Sequence, residues 1–346
     1  MRSRRLLAAV TVAVTALTAV ASAGPAAADP PSAPGSVVVT AGVHELTVDW
    51  SGSPGADRYI ARLSPTQRQI TTTDASGVTF DRLIAGVTYA VTITPVDDDE
   101  GFGAVASASG TPLDRPTDPP EIAEIATGGE HSCALFDDGS VRCWGLGADG
   151  QLGYGDDADL GDDESIRALP AIDVGARVVQ VSGGDRHTCA LTESGGIRCW
   201  GSSDDGALGY PDVAEVGVDD VPADLGDVDI GGQADQVSAG TDHTCALLTN
   251  GRVRCWGSGD DGRLGHGATA DIGDDETPAS AGNSRIGVRA LQVGAGESHS
   301  CAITTAGAVR CWGSGDLGQL GYADTTDIGD DERPATAGDL RLGALA

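Results

Sequence analysis

A 15-residue stretch, HSCALFDDGSVRCWG from His131, returns as HTCALTESGGIRCWG from His187, HTCALLTNGRVRCWG from His243 and HSCAITTAGAVRCWG from His299. The first cysteines stand at 133, 189, 245 and 301, so the period is 56 residues without drift. Eight of the 15 positions are identical in all four copies: the histidine, both cysteines, the alanine, the turn glycine, the arginine, the tryptophan and the final glycine. A period of this length leaves a chain few options. Each copy is one supersecondary unit, and neighbouring copies must stack to bury what none can bury alone.

Within a copy, Cys133 and Leu135 alternate with Ser132 and Ala134, and Val141 and Cys143 alternate with Arg142 and Trp144. That pattern is two short strands about a turn at Asp138-Gly139, or Asn250-Gly251 in the third copy. If Leu135 faces Val141, then Cys133 faces Cys143, at a Cα separation of about 4.5 to 5.5 Å that a disulfide can span. The expected pairs are Cys133 with Cys143, Cys189 with Cys199, Cys245 with Cys255, and Cys301 with Cys311. The alternative is a metal site of two thiolates and one histidine. It offers three ligands per copy, short of a closed structural site, and needs free thiols. The histidine is expected to hold a loop through ring hydrogen bonds.

Redox compartment follows from the N-terminus. Arg2, Arg4 and Arg5 precede an uncharged apolar run over 6–20, and small residues lead to Ala26-Ala27-Ala28. This is the pattern of a secretory signal peptide over 1–28. The run is shorter than the roughly 20 residues a membrane span needs, so no membrane insertion is expected. The chain contains no lysine, 21 arginines and 52 acidic residues, a net charge of −31 that becomes more negative once the leader is lost. Such a charge repels nucleic acid and favours cations or basic partners.

Residues 31–112 read as strands over 36–40, 45–50, 58–63, 87–95 and 104–109. Leu46-x-Val48-x-Trp50, Ala56-x-x-Tyr59, Leu83-x-x-Gly86-x-x-Tyr89-x-Val91 and the exit Gly110-Thr111-Pro112 resemble a fibronectin type III module. That resemblance implies a β-sandwich with Trp50 in its core and Tyr89 at a tyrosine corner. Residues 113–120, with prolines at 116, 119 and 120, form a linker.

After each Trp-Gly comes a glycine-rich loop such as Asp149-Gly150-Gln151-Leu152-Gly153. Together with the V-x-x-G-x-x-H frame of 237–257 and 293–313, residues 121–346 resemble the regulator of chromosome condensation repeat family. The resemblance implies an all-β chain, a fibronectin type III β-sandwich followed by a β-propeller of four 56-residue repeats, with about one four-stranded blade per repeat. The best-known members have seven blades. The nucleotide-exchange and chromatin roles of the namesake suit neither export nor this charge. Sliding the frame places strands over 227–230 and 284–287, and a spare one over 338–345. That spare strand is expected to complete the blade begun at 122–126 and close the ring. A dimer or larger ring of open arcs would leave the same pattern.

No catalytic signature appears: there is no G-x-S-x-G, no H-E-x-x-H and no lysine. His44 and His266 fall outside the repeated histidine position. An acidic loop recurs in phase in all four copies, with Asp159, Asp162 and Asp163, then Glu215, Asp219 and Asp220, then Asp271, Asp274 and Asp275, then Asp327, Asp330 and Asp331. These carboxylates could hold calcium, although the spacing is not the 12-residue calcium loop and solvated Asx turns would look alike. No cofactor is required by anything in the chain. The expected function is that of a secreted, non-catalytic binding or scaffold protein with an extracellular protein or glycan partner, found in the medium or at the cell wall. Two alternatives stand beside it. One is a secreted inhibitor of an extracellular enzyme, by analogy with a β-lactamase inhibitor in the same repeat family; its hallmark would be an aromatic ring made by Tyr154, Tyr210 and Tyr322. The other is a cell-wall or polysaccharide contact module.

Overall fold

The computed structural model describes residues 11–13, 30–97, 101–113, 119–163 and 165–340. The chain divides into two compact units, Met1–Ala123 and Glu124–Ala346.

In the first unit, strands Val38–Gly42, Glu45–Asp49 and Gly77–Phe80 form one antiparallel sheet. A second sheet runs from Gln69–Thr72 through Arg58–Ser64 to Tyr89–Asp97, which pairs with both Gly101–Phe102 and Ala106–Gly110. Alternation decides which side is buried: Tyr59, Ala61 and Leu63 point inward from one strand, as do Tyr89, Val91 and Ile93 from another. Trp50 is buried with its ring centroid 5.5 Å from that of Tyr59. The Tyr89 hydroxyl accepts a 3.1 Å bond from the Ile84 amide, holding the corner before its own strand. Thr11–Ala13 pairs antiparallel with Val38–Thr40 along the free edge of the first sheet. The rest of the leader, and positions 114–118 of the linker, lie outside the described residues.

In the second unit each repeat is a three-stranded antiparallel meander. The strands of the first are Ile122–Thr127, His131–Phe136 and Val141–Gly145. Those of the second are Val178–Gly183, His187–Thr192 and Ile197–Ser202, those of the third Ala234–Ala239, His243–Leu248 and Val253–Gly257, and those of the fourth Ala290–Ala295, His299–Thr304 and Val309–Gly313. The expected fourth strand is a true strand only in the second repeat, as Glu215–Val216. Elsewhere it shrinks to single bridges, Gly145 to Leu160, Gly257 to Ile272 and Gly313 to Ile328. The turn glycines 139, 195, 251 and 307 have φ between 77° and 82°, which explains why that position is glycine in every copy.

Cys133 opposes Cys143 and Leu135 opposes Val141 in the hairpin register, and the other repeats match. The four disulfides join Cys133 to Cys143, Cys189 to Cys199, Cys245 to Cys255 and Cys301 to Cys311, with Cα separations of 4.0 to 4.1 Å.

Repeats are joined through one carbonyl. The Gln151 carbonyl accepts from the Trp200 indole at 3.0 Å and from the Thr188 hydroxyl at 3.0 Å, both in the next repeat. The hydroxyl has only one proton to give, so it accepts from His131 Nε2, 2.8 Å away and back in the first repeat. The same set recurs with Ala207, Trp256, Thr244 and His187, and with Arg263, Trp312, Ser300 and His243. Trp200, Trp256 and Trp312 are fully buried as a result. The histidine therefore spans a junction between repeats rather than tying down its own loop. It packs on the glycine three residues ahead of it: a Cβ on Gly184 would lie 2.2 Å from the His187 ring. Side-chain amides add a second link, as Gln236 bonds the Val293 backbone through both its oxygen and its nitrogen.

Two expectations about strands fail. Residues 227–230 and 284–287 are not strands; each makes a single backbone bond to the outer strand of its own hairpin, Val228 N to Ile197 O and Ser284 N to Val253 O. The segment expected to close the ring behaves identically. Leu340 N bonds Val309 O, and Asp339 accepts from Arg310 at 2.5 Å, as Asp227 accepts from Arg198. Arg198, Arg254 and Arg310 hold that segment on their own repeats through Asp227, Asn283 and Asp339. Positions 341–346 lie outside the described residues. Among the described residues, no hydrogen bond joins the first repeat to the fourth.

Burial lowers the pKa of His131 to about 4 and of His187 and His243 to about 3. The unfolded chain takes up protons on these rings below about 6.5 while the folded chain does not, so stability is lost as pH falls from about 6.5 toward 3. In urea titrations, His187→Ala is expected to lose about 3 kcal/mol at neutral pH, from the cavity and the stranded Thr244 hydroxyl. Its stability should also fall less steeply than wild type between pH 6.5 and 4; an unchanged acid slope would contradict the buried neutral ring.

Candidate functional site

Three histidines of the repeats are paired with hydroxyls at the junctions. Each His–Thr or His–Ser pair at 2.8 to 2.9 Å has the separation of a base and nucleophile. Yet the hydroxyl is fully buried at Thr188, Thr244 and Ser300, its proton is committed to a carbonyl, and the imidazole donates instead of accepting. All eight cysteines are in disulfides. The consistent Ser or Thr between His and Cys was the signal for this junction in the sequence, and it passed unread.

The surface offers two other features. Turns between the first and second strands, carrying Gly129, Asp185, Thr241 and Glu297 at equivalent positions, line a hollow of about 470 Å³. Glycine backbone and two exposed carboxylates make this a polar, acidic recess.

The acidic loops are the second feature, and they are not four equal sites. Asp159, Asp271 and Asp327 each accept from the amide of Gly147, Gly259 or Gly315 at 2.7 to 2.9 Å, which folds the loop back on its own hairpin. The loop backbones of the second and fourth repeats lie on the preceding repeat, where Gly155 N bonds Gly217 O and Gly267 N bonds Gly329 O, both at 3.0 Å. Asp162 caps the Asp163 amide at 2.9 Å. Three carboxylates converge within 4.8 Å only in two loops among the described residues, Asp274 with Asp275 and Glu276, and Asp330 with Asp331 and Glu332. In the second repeat, Val218 and Val221 flank Asp219 and Asp220, and Asp220 caps the Gly217 amide. Desolvation and the neighbouring Asp275 and Asp274 carboxylates raise Glu276 to about 7, and Glu332 moves the same way beside Asp331. A proton thus relieves part of the crowding.

The tyrosines form no aromatic ring at a mouth. Tyr154 and Tyr322 bond the backbone of Cys143 and Cys311, and Tyr210 donates to Gly226 O at 2.6 Å, each within its own repeat. His266 occupies the same slot in the third repeat, so it belongs to the pattern after all. Its low pKa follows from burial and the nearby Arg285 and Arg254.

Glu276 is harder to ionise folded than unfolded, so its contribution to stability falls as pH rises from about 4.5 to 7 and is constant above. Glu276→Gln is therefore expected to match wild type near pH 4.5 and to melt progressively higher than it up to pH 7. Calorimetry of both proteins across that range decides, and parallel curves would remove the crowded triplet.

Models of the Regulator of chromosome condensation (RCC1) repeat match residues 122–151, 178–207, 234–263 and 291–319, and a longer form matches 138–191 and 250–303. The Ultraviolet-B receptor UVR8 of Arabidopsis thaliana is 34% identical over 235 residues, 67% of this chain and 51% of that protein. The Regulator of chromosome condensation of Drosophila melanogaster is 36% identical over 195 residues, 56% of this chain and 33% of that one. The chain thus spans about half of the plant relative and a third of the fly protein. Among solved structures, human WBSCR16 matches with a TM-score of 0.51 at 19% identity, over 89% of this chain and 67% of that one. Yeast RCC1 (Prp20), solved bound to Kap60, matches at 0.50 and 17%, over 88% and 74%. These two share the fold. The repeat region is built of RCC1 repeats, and through it the chain belongs to the RCC1 repeat family of β-propeller proteins.

Proposed function

We propose that this is an exported, non-catalytic binding or scaffold protein that presents its repeat loops to an extracellular protein or glycan, with the two-sheet unit acting as a fibronectin type III spacer. One observation carries the reading. The cysteines and three of the four repeat histidines, with the hydroxyls they meet, are spent on internal links, and the surface offers a glycine-lined recess and a set of acidic loops. A surface of that kind recognises shape and charge; it holds no poised nucleophile or base. RCC1-like repeat proteins act as binding and regulatory proteins, and the yeast relative was solved with a protein partner. Export is supported by the leader over 1–28 and by four disulfides, which persist outside reducing compartments. Calcium and other cofactors have no part in this reading.

Expression of the whole chain in an exporting bacterial host should yield a polypeptide in the medium that starts after Ala28 and has no free thiol. The purified protein is then tested for saturable binding to insoluble peptidoglycan, cellulose and chitin and to immobilised secreted proteins. Charge reversal at the recess, Asp185→Arg with Glu297→Arg, should weaken the binding found about tenfold. Retention inside the cell with free thiols, or binding indifferent to the reversal, would sink the reading.

A further inference from the structure

The three internal junctions define a matched pair of surfaces, and the two ends of the array each carry one half of that pair uncovered. On the leading face of the first repeat, Ile122 is 49% and Ile125 is 62% exposed. The same positions in later repeats, Val178 and Val181 among them, are at most 3% exposed because the preceding repeat covers them. Trp144 is half-buried where its three counterparts are fully buried, and the Ser132 hydroxyl lacks the incoming histidine that Thr188, Thr244 and Ser300 all receive.

The trailing face of the fourth repeat shows the converse. His299, Cys301 and Ile303 are half-buried where His243, Cys245 and Leu247 are buried, and Gln292 is exposed where Gln236 is covered. His299 has no hydroxyl partner from a following repeat, and the Gln319 carbonyl, counterpart of Gln151, receives no indole or hydroxyl. Leu317, fully exposed, stands at the border where Asp149 meets Arg186 across the first junction.

We infer that the fourth repeat of one chain docks on the first repeat of a second copy, so that two chains join head to tail at both ends into one ring of eight repeats. The chain itself states the chemistry of the occupant. His299 would donate to Ser132, Ser132 and Trp144 would donate to the Gln319 carbonyl, and the Gln292 amide would bond the Ile125 backbone, each an existing link moved by one period. Two internal links have no counterpart: Ser182 and Ser238 accept from Ala239 and Ala295, whereas the fourth repeat has Gly294 there, and the Asp149–Arg186 pair of the first junction would be replaced by Leu317 and Glu130. The apolar side is complete, with Ile122 and Ile125 against Ile303 and the Cys301–Cys311 disulfide. The contact is heterologous, and such contacts form closed rings when their rotation allows and filaments when it does not. The inference is independent of which partner the loops bind.

The test uses the oxidised full-length chain, with mass measured by light scattering after size exclusion. Wild type should run at twice the chain mass. Ile125→Asp disables only the leading face and His299→Asp only the trailing face. Both positions are partly or largely exposed in a single chain, so each variant should stay folded by near-ultraviolet circular dichroism. Each alone should be monomeric, with association weakened at least about a hundredfold by burying an unpaired carboxylate. Mixed together, they should restore a two-chain species, since one variant keeps a sound trailing face and the other a sound leading face. A monomeric wild type, a ring of another number of chains, dimers persisting in both variants, or a mixture that stays monomeric would each overturn it.

Discussion

The architecture depends on a backbone carbonyl that takes two hydrogen bonds at once. At Gln151, Ala207 and Arg263 the acceptor of one repeat meets the indole and the hydroxyl of the next, and an imidazole from the same repeat as the acceptor completes the hydroxyl. A buried tryptophan contributes the largest apolar area of any residue, and its N–H must be paired if it is to be buried completely. No repeat supplies that acceptor to itself. Stability is therefore a property of junctions, and it accumulates along the array as nearest-neighbour terms do in other repeat proteins. The disulfides act one level below, keeping each hairpin in the register that presents histidine, hydroxyl and indole on the correct sides.

This explains why residues with catalytic potential are repeated so strictly without forming a catalytic site. A histidine beside a hydroxyl and a cysteine invites a reading as nucleophile and base. Direction of donation decides against it, because a hydroxyl whose proton goes to a carbonyl cannot yield it to an imidazole that is itself donating. Burial reinforces the point by holding the rings neutral far below the pH at which histidine ordinarily titrates. The acidic loops and the glycine-lined recess remain at the surface.

The hairpins were legible because their signals are local. Period, alternation and turn residue together set the register, so Cys133 opposite Cys143 follows from a few residues. Less local features were not. The segments at 227–230 and 338–340 carry strand-like residues, yet the arginine of the adjacent hairpin holds them on their own repeat, and a single bond does not make a ladder. Of the segment expected to close the ring, residues 338–340 are held on their own repeat in the same way, and 341–345 lie outside the described residues. In the first unit the strands Gln69–Thr72 and Gly77–Phe80 were missed because both are short, and only Phe80 is buried in either. The acidic loops looked equivalent in sequence, but Val218 replaces one of the charges in the second repeat, and backbone capping occupies Asp159, Asp271 and Asp327.

Differences among the copies then become a record of position. In the first repeat Arg142 has no described preceding segment to hold, and it lies over the Phe136 ring at 4.9 Å instead. Arg198, Arg254 and Arg310 each donate to a carbonyl contributed from the repeat before, at Val174, Ile230 and Ile286. In repeat arrays that stop, terminal copies usually carry a polar outer face, because an uncapped junction surface is an invitation to associate. Here the outer face of the first copy keeps isoleucine at both positions that are buried in the other three, and the last copy keeps its histidine and glutamine ready for partners that the chain does not itself provide. Neither of these faces has been made polar, so among the described residues each keeps the chemistry of a junction surface.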